Sequence, residues 1–235
     1  MILGLQKLTL LDYPEKIACT VFLGGCNFRC PFCHNGSLVT PSAEDELMSE
    51  EEFLGFLDSR IGRLEGVCIS GGEPTLTPNL ASFIRKIKEK GFSVKLDTNG
   101  SRPEVLRNLI DEGLLDYVAM DIKNSPERYA ETVGLNSKFE IRNSKLIESV
   151  RESAGILMQG EVDFEFRTTL ARELHCESDI EAIGRWLSGD ERFYLQSYRD
   201  EGDLLVGGFS AYSVAEREGL LEILKKYVPN AALRL

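Results

Sequence analysis

Residues 17–33 read IACTVFLGGCNFRCPFC. The first seven residues, Ile17 to Leu23, are mostly apolar and predict a buried β-strand. Two glycines follow, and then three cysteines (Cys26, Cys30 and Cys33) stand at C-x3-C-x2-C spacing directly after the strand. Parallel α/β folds carry their functional loops at the carboxyl ends of the strands, and this arrangement is typical of that class.

Short apolar runs of the same kind recur along the chain, with helical patterns between them. They predict six strands: Ile17–Leu23, Val67–Ser70, Ser93–Thr98, Tyr117–Asp121, Val162–Thr169 and Phe193–Ser197. Strand–helix alternation requires crossover connections and therefore predicts an α/β fold with a parallel sheet. Six βα units indicate a partial (βα)6 barrel. Because no linker divides the chain, we expect a single domain over residues 1–235.

Capping residues mark the boundaries of the predicted helices. Three S-x-x-E capping boxes predict helix starts, at Ser49/Glu52, Ser178/Glu181 and Ser213/Glu216. Pro103 is expected in the first turn of another helix, and Gly113 at its end. A weaker helical pattern covers Lys138–Ser153.

The composition is that of an ordinary globular protein, with 43% hydrophobic and 28% charged residues. A formal net charge of -11, without a long basic run, argues against nucleic acid or an anionic membrane as a partner. No apolar run reaches the roughly 18 to 20 residues of a membrane-spanning helix, and no signal-peptide pattern stands at the N-terminus. We therefore expect a cytoplasmic protein, in which clustered cysteines indicate metal or redox chemistry.

The cysteine spacing suits an iron–sulfur cluster. A [4Fe-4S] cluster takes one thiolate per iron, so three cysteines would leave one iron open to another ligand. The alternative is a structural zinc ion with His34 as the fourth ligand, although Cys33 and His34 are adjacent and would have difficulty reaching the same ion. The other cysteines are too scattered for a second cluster and are predicted to be small buried residues: Cys19, Cys68 and Cys176.

A second motif, Ser70-Gly71-Gly72-Glu73-Pro74, ends the second predicted strand and by itself would be a plain turn. In this order the two motifs resemble the radical S-adenosylmethionine (SAM) superfamily over nearly the whole chain. The resemblance implies that Cys26, Cys30 and Cys33 hold a [4Fe-4S] cluster and that Gly71, Gly72 and Glu73 receive the amino group of SAM. It also implies reductive cleavage of SAM to a 5′-deoxyadenosyl radical, with a flavodoxin or ferredoxin as reductant.

Two further motifs, Asp97-Thr98-Asn99-Gly100 and Asp121-Ile122-Lys123, end the third and fourth predicted strands. Taken separately, they are consistent with turn chemistry and a solvated charge pair. Together with Cys33-His34-Asn35 they resemble the glycyl-radical-enzyme activating subfamily. That resemblance implies a monovalent cation near Asp97, Thr98 and Asp121, neutralisation of the SAM carboxylate by Lys123, and a SAM contact from Asn35.

Arg167 stands among apolar neighbours on the fifth predicted strand, where an unpaired guanidinium would be costly. The resemblance assigns it to the ribose or carboxylate region of SAM, and the alternative is a core salt bridge with an acidic residue such as Glu165. His34 is expected to pack beside the cluster and donate a hydrogen bond there. His175 is predicted to lie in a polar loop without a role.

Two stretches of sequence indicate which group within the activating subfamily the chain resembles. Gln196-Ser197-Tyr198-Arg199 matches activating proteins of anaerobic ribonucleoside-triphosphate reductase, whereas pyruvate formate-lyase activating enzymes carry a histidine near Arg199. Leu11-Asp12-Tyr13-Pro14-Glu15-Lys16 also resembles the reductase group, although Glu15 replaces a glycine and puts a tight turn in question.

The resemblance implies a radical SAM oxidoreductase that abstracts a glycine α-hydrogen from the anaerobic reductase. The alternatives are activation of another glycyl radical enzyme, such as pyruvate formate-lyase, and a non-catalytic zinc-binding protein.

Overall fold

The computed structural model describes residues 1–45, 47–135, 140–190, 192–200 and 204–234. Within them, eight strands form a sheet whose spatial order is the order of the chain. The first pair is antiparallel and all other neighbours are parallel. The strands are β1 (Ile2–Thr9), β2 (Ala18–Leu23), β3 (Gly66–Gly71), β4 (Ser93–Thr98), β5 (Tyr117–Asp121), β6 (Asp163–Leu170), β7 (Phe193–Ser197) and β8 (Ala232–Arg234).

The predicted parallel α/β fold is confirmed, and β2 to β7 are the six predicted strands with boundaries shifted by at most one residue. The prediction of six strands was incomplete, because β1 and β8 were missed. β1 is an edge strand with an exposed stretch that includes Gln6 and Lys7, and β8 has only three residues. Neither carries the continuous apolar run that marks a strand buried on both faces.

Helices follow most of the strands. They are α1 (Gly36–Val39), α2 (Glu50–Asp58), α3 (Leu80–Glu89), α4 (Pro103–Asp111), α5 (Tyr129–Thr132), α6 (Glu140–Leu157), α7 (Glu177–Trp186) and α8 (Val214–Lys225). The capping boxes predicted at Ser49 and Ser213 are formed, and Pro103 begins α4. The start predicted at Lys138 lies outside the described residues, and α6 covers the rest of that prediction.

The capping box predicted at Ser178 is wrong. Helix α7 begins at Glu177 with Cys176 as its N-cap, and the Asp179 carboxylate accepts a hydrogen bond from the Cys176 backbone N–H at 2.9 Å. The Ser125 hydroxyl and the Arg128 guanidinium also bind Asp179, each at 2.9 Å. These tertiary contacts fix the helix start. Cys176 is consequently exposed, contrary to prediction, whereas Cys19 and Cys68 are buried as predicted.

The turn before β2 forms despite the missing glycine. Glu15 adopts a φ of 62°, in the left-handed region that a glycine enters without strain, and the Lys16 N–H donates to the Tyr13 carbonyl at 3.3 Å. Tyr13 packs against Tyr117, which begins β5. The turn therefore lies at the amino ends of the parallel strands.

The two faces of the sheet differ in polarity. Alternate residues of β3, β4 and β5, such as Ile69, Leu96 and Met120, belong to one continuous apolar core shared with the helices. The other face carries charged residues at matching register positions, where Asp121 pairs with Arg167. Because strands buried on both faces are normally apolar throughout, these inward charges indicate a functional site. In the described part of the chain, no helix is long and apolar enough to cross a membrane.

Candidate active site at the carboxyl ends of the parallel strands

A cavity lies where the parallel strands end. All twelve residues that the sequence predicted for a cluster and SAM line it: Cys26, Cys30, Cys33, Asn35, Gly71, Gly72, Glu73, Asp97, Thr98, Asp121, Lys123 and Arg167. Gln196 also lines it. Among the described residues, Arg199 and residues 11–16 do not line the cavity.

Backbone hydrogen bonds hold the cysteine loop in place. The Cys26 N–H donates to the Val39 carbonyl at 3.1 Å, and the Arg29 N–H donates to the Val133 carbonyl at 2.9 Å. Phe28 and Phe32, which flank Cys30, are buried in the core. Contacts from two other parts of the chain and two aromatic anchors therefore set the positions of the cysteines.

Burial makes the free thiols of Cys26 and Cys30 weaker acids. It raises the pKa of Cys30 to about 12 and also raises the pKa of Cys26, while the nearby Lys123 ammonium opposes both shifts. A metal centre would reverse this balance, because a coordinating thiol loses its proton. The donor set thus fits a cluster that brings its own positive charge.

The same residues fit a mononuclear zinc ion poorly. No group of three or more His, Cys, Asp or Glu side chains among the described residues is arranged to hold one metal ion. The His34 ring stacks on Tyr198 with 5.4 Å between ring centroids. A cubane requires less convergence, because each of its thiolates binds a different iron.

Gly71 and Gly72 let the second loop pack against the first. A Cβ at Gly71 would lie 2.1 Å from the Leu23 carbonyl oxygen, and one at Gly72 would lie 2.2 Å from the Gly25 carbonyl oxygen. Gly71 also has a φ of 132°. The Glu73 N–H donates to the same Gly25 carbonyl at 2.7 Å. Both glycines are therefore needed for the close approach of two backbones, whatever ligand lies above them.

The Glu73 carboxylate joins two of the loops. It is 1% exposed and accepts four hydrogen bonds, which come from the Thr75 N–H and hydroxyl (3.1 and 2.5 Å), the Thr98 hydroxyl (2.7 Å) and the Asn99 N–H (2.6 Å). Burial raises the pKa of Glu73 and these donors oppose the shift. Because the carboxylate oxygens are occupied within the chain, Glu73 positions the loops around the cavity.

Charged side chains line the other wall. The Arg167 Nε donates to Asp121 Oδ1 at 3.0 Å and its Nη1 lies 3.7 Å from Asp97 Oδ1, while Lys123 Nζ donates to Asp121 Oδ2 at 3.0 Å. Burial alone would raise the pKa of Asp121, but the Arg167 and Lys123 charges outweigh it and lower this pKa to about 2. The side chains of Asp121 and Lys123 are 30% and 20% exposed, so this pair is partly buried and not a fully solvated charge pair.

Arg167 forms salt bridges with acidic residues, as in the predicted alternative, but its partners are Asp97 and Asp121 and not the suggested Glu165. Glu165 instead accepts hydrogen bonds from the Arg234 guanidinium at 2.5 and 2.7 Å and from the Tyr117 hydroxyl at 2.9 Å. Arg234 belongs to β8, which the sequence did not predict, so this pairing was not visible beforehand. Arg167 is left with Asp97 and Asp121.

His175 lies in the loop between β6 and α7, as predicted, but it was missed as a buried residue of this region. Its side chain is buried, and burial lowers its pKa, so the imidazole is neutral. Nε2 donates to the Lys123 carbonyl at 2.8 Å, and Nδ1 accepts from the Ala171 N–H at 3.1 Å. The ring also packs edge-on against Phe32. His175 thus joins the cysteine loop to the Lys123 loop.

Lys95 was also missed. It is a buried lysine on β4 whose ammonium donates to the Asp97 carboxylate. Burial alone would lower the pKa of Lys95, but Asp97 outweighs it and raises this pKa. The sequence feature that could have identified Lys95 was its charge at an inward position between the apolar Val94 and Leu96.

Comparison with known proteins defines the class. The radical SAM superfamily model matches residues 20–170, and the chain belongs to that superfamily. A Methanocaldococcus jannaschii protein provisionally named as a glycyl-radical enzyme activating enzyme is 33% identical over 238 residues, which cover 100% of this chain and 95% of the relative. The pyruvate formate-lyase-activating enzyme of Clostridium pasteurianum is 32% identical over 132 residues, which cover 52% of this chain and 51% of that enzyme.

The fold agrees with that of a solved structure. Streptococcus suis SuiB bound to S-adenosylmethionine matches with a TM-score of 0.68 at 13% identity, over 92% of this chain. This chain spans about half of the SuiB chain, at 52%. The chain is therefore a radical SAM enzyme homologous to glycyl-radical-enzyme activating enzymes, and the family implies a [4Fe-4S] cluster and SAM.

Proposed function

We propose that this chain activates a glycyl radical enzyme by removing a glycine α-hydrogen, and that the partner is an anaerobic ribonucleoside-triphosphate reductase. The observation that carries the proposal is the convergence of all twelve sequence-predicted residues on one cavity. The relative from Methanocaldococcus jannaschii, aligned over the whole chain, supports the general activity.

Cys26, Cys30 and Cys33 are the residues that would hold the cluster, and three cysteines would leave one iron available to SAM. When bound, the reduced cluster supplies the electron that splits SAM into methionine and a 5′-deoxyadenosyl radical, which takes the glycine hydrogen to give 5′-deoxyadenosine. A flavodoxin or ferredoxin is the proposed electron donor. The chain's own task is to hold the reacting groups in position and to keep water away.

The charged wall suits the carboxylate of SAM. Lys123 and Arg167 on this wall, together with Lys95 behind it, contact two carboxylates (Asp97 and Asp121), which leaves an excess of one positive charge. Lys123 lines the cavity and is the proposed contact to the SAM carboxylate, with Arg167 beside it.

The remaining cavity residues have smaller proposed roles. Asn35 contacts SAM, the backbone at Gly71 and Gly72 accepts its amino group, and Glu73 with Thr98 keeps the two loops in register. The monovalent cation expected at Asp97, Thr98 and Asp121 is not included, because both carboxylates already bind cationic side chains.

We further propose that residues 1–235 act as one domain in the cytoplasm, and the continuous core supports the first of these points. We propose that the mouth of the partial barrel admits a protein loop that carries the glycine. Activation of a pyruvate formate-lyase is the second candidate, favoured by the similarity to the Clostridium pasteurianum enzyme.

The test is electron paramagnetic resonance on reconstituted protein with reductant, SAM and either the anaerobic reductase or pyruvate formate-lyase, with 5′-deoxyadenosine assayed in the same tube. We expect a glycyl-type doublet with the reductase. Cys30→Ala should abolish both signals, and Cys19→Ala, the same change at a buried cysteine on β2, should preserve them.

The three possible failures separate the parts of the proposal. A doublet with pyruvate formate-lyase alone would replace the partner. 5′-Deoxyadenosine without any doublet would keep the radical chemistry and reject both partners. Neither product from protein shown to hold its cluster would reject the activating function.

A further inference from the structure

Lys95 lies on the same face of β4 as Asp97, because residues two apart on a strand point the same way. Its side chain is 1% exposed. The ammonium donates to the Asp97 carboxylate and lies 3.7 Å from the Cys68 thiol. Lys95 is not among the residues that line the cavity, so it approaches Asp97 from the amino-terminal side of the strand.

Side-chain cations already occupy the two aspartates that a monovalent cation would need. Asp97 Oδ1 contacts both Lys95 and Arg167. Asp121 accepts from Arg167 through Oδ1 and from Lys123 through Oδ2, each at 3.0 Å. An added cation would be in contact range of three positive charges, and like charges at that distance repel strongly in a buried site.

Thr98, the third residue expected to bind the monovalent cation, is also hydrogen-bonded within the chain. The Thr98 hydroxyl donates to Glu73 at 2.7 Å and accepts from the Gly100 N–H at 3.1 Å. Its single proton and one lone pair are thereby used within the chain. The residues therefore do not fit the cation that the resemblance implied.

We propose that the Lys95 ammonium replaces a monovalent cation at Asp97, so that this chain binds SAM without sodium or potassium. The inference rests on the proposed SAM site. It makes Lys95 a positioning residue, which fixes Asp97 and through it the Arg167 guanidinium.

The first test uses the cluster-loaded wild type. SAM affinity is measured by anaerobic titration calorimetry in choline chloride and in potassium chloride at equal ionic strength, so that screening is the same. We expect the two Kd values to agree within about twofold, a difference well below 1 kcal/mol. Equilibrium dialysis should detect no specific binding of radioactive rubidium. A stoichiometric rubidium site, or SAM binding that requires potassium, would overturn the proposal.

The second test removes the ammonium. Lys95→Met should weaken SAM binding about tenfold in choline, because the Asp97 charge that Lys95 balanced would then repel the SAM carboxylate, and potassium should restore much of it. Lys86→Met is the matched control, because Lys86 pairs with Glu50 on the surface. SAM binding by Lys95→Met that equals the wild type in choline would contradict the inference.

If Lys95→Met does not fold, it is replaced by the double variant Lys95→Met/Asp97→Asn, which removes both charges of the pair. The double variant should bind SAM equally in choline and in potassium. A potassium requirement for SAM binding would contradict the inference. A wild type that binds no SAM in either salt would refute the proposed function. The rubidium measurement would still test the role of Lys95.

Discussion

Replacing Asp121 by asparagine tests the charged wall without any cofactor. The carboxylate lies against Arg167 and Lys123, and its pKa falls from the ordinary 3.8 to about 2 because these charges outweigh its burial. At about 1.36 kcal/mol for each factor of ten, this difference corresponds to about 2 kcal/mol in favour of the folded state. We expect Asp121→Asn to lower the free energy of unfolding at neutral pH by about that amount.

The pH dependence has a definite sign. A carboxyl whose pKa is lower in the folded state stabilises the fold above the ordinary value of 3.8, and this contribution is lost as pH falls towards about 2. The stability difference between wild type and Asp121→Asn should therefore be constant from neutral pH to about pH 5 and shrink below about pH 4.

Urea denaturation of reduced apo-protein across this pH range measures the difference, and carbon NMR of the Asp121 carboxyl measures the pKa directly. Asp58→Asn is the control, because Asp58 pairs with Lys90 at the surface and should contribute less than about 1 kcal/mol. An Asp121 carboxyl that titrates near its ordinary pKa, or an Asp121→Asn variant as stable as wild type, would refute the reasoning.

Four further substitutions have distinct expected results. Gly72→Ala should destabilise the apo-protein by about 1–3 kcal/mol, because the new Cβ would clash with the Gly25 carbonyl. Gly55→Ala in α2 places its Cβ in open space and should stabilise the apo-protein by about 0.5–1 kcal/mol. Thermal melting distinguishes the loss of stability from the gain. Lys123→Met should weaken SAM binding about tenfold or more in calorimetry while the cluster absorbance remains, and unchanged affinity would remove Lys123 from the SAM site. His175→Phe should lower the free energy of unfolding by about 2 kcal/mol, since it leaves the Lys123 carbonyl unpaired. It should also weaken SAM binding without loss of iron. An unchanged melting temperature would show that the hydrogen bond from His175 to the Lys123 carbonyl is unimportant.

The sequence was sufficient for the features that depend on local pattern. Most residues of strands such as β4 and β5 are buried, and the predicted bounds agree with the structure. The motifs at their ends could be brought together in advance, because the carboxyl ends of parallel strands meet at one edge. The convergence of Cys26, Asp97 and Asp121 on one cavity follows from that rule.

Features that depend on tertiary contacts could not be predicted in this way. The start of α7 is set by the buried Asp179, the partner of Glu165 comes from the very short strand β8, and His175 is buried by the cysteine loop that it contacts. In each case the deciding partner lies more than 40 residues away in the chain, beyond the reach of any local pattern.

The agreement between spatial and sequential strand order has a consequence for biosynthesis. The cysteine loop leaves the ribosome early, whereas Arg167 follows Cys33 by 134 residues. At about 5–20 residues per second, the three thiols wait about 7–27 s before the charged wall of their cavity exists. During that interval the nascent chain presents its thiols to oxidants and to free metal ions, so oxygen during translation, and not only afterwards, should reduce the yield of protein able to accept a cluster.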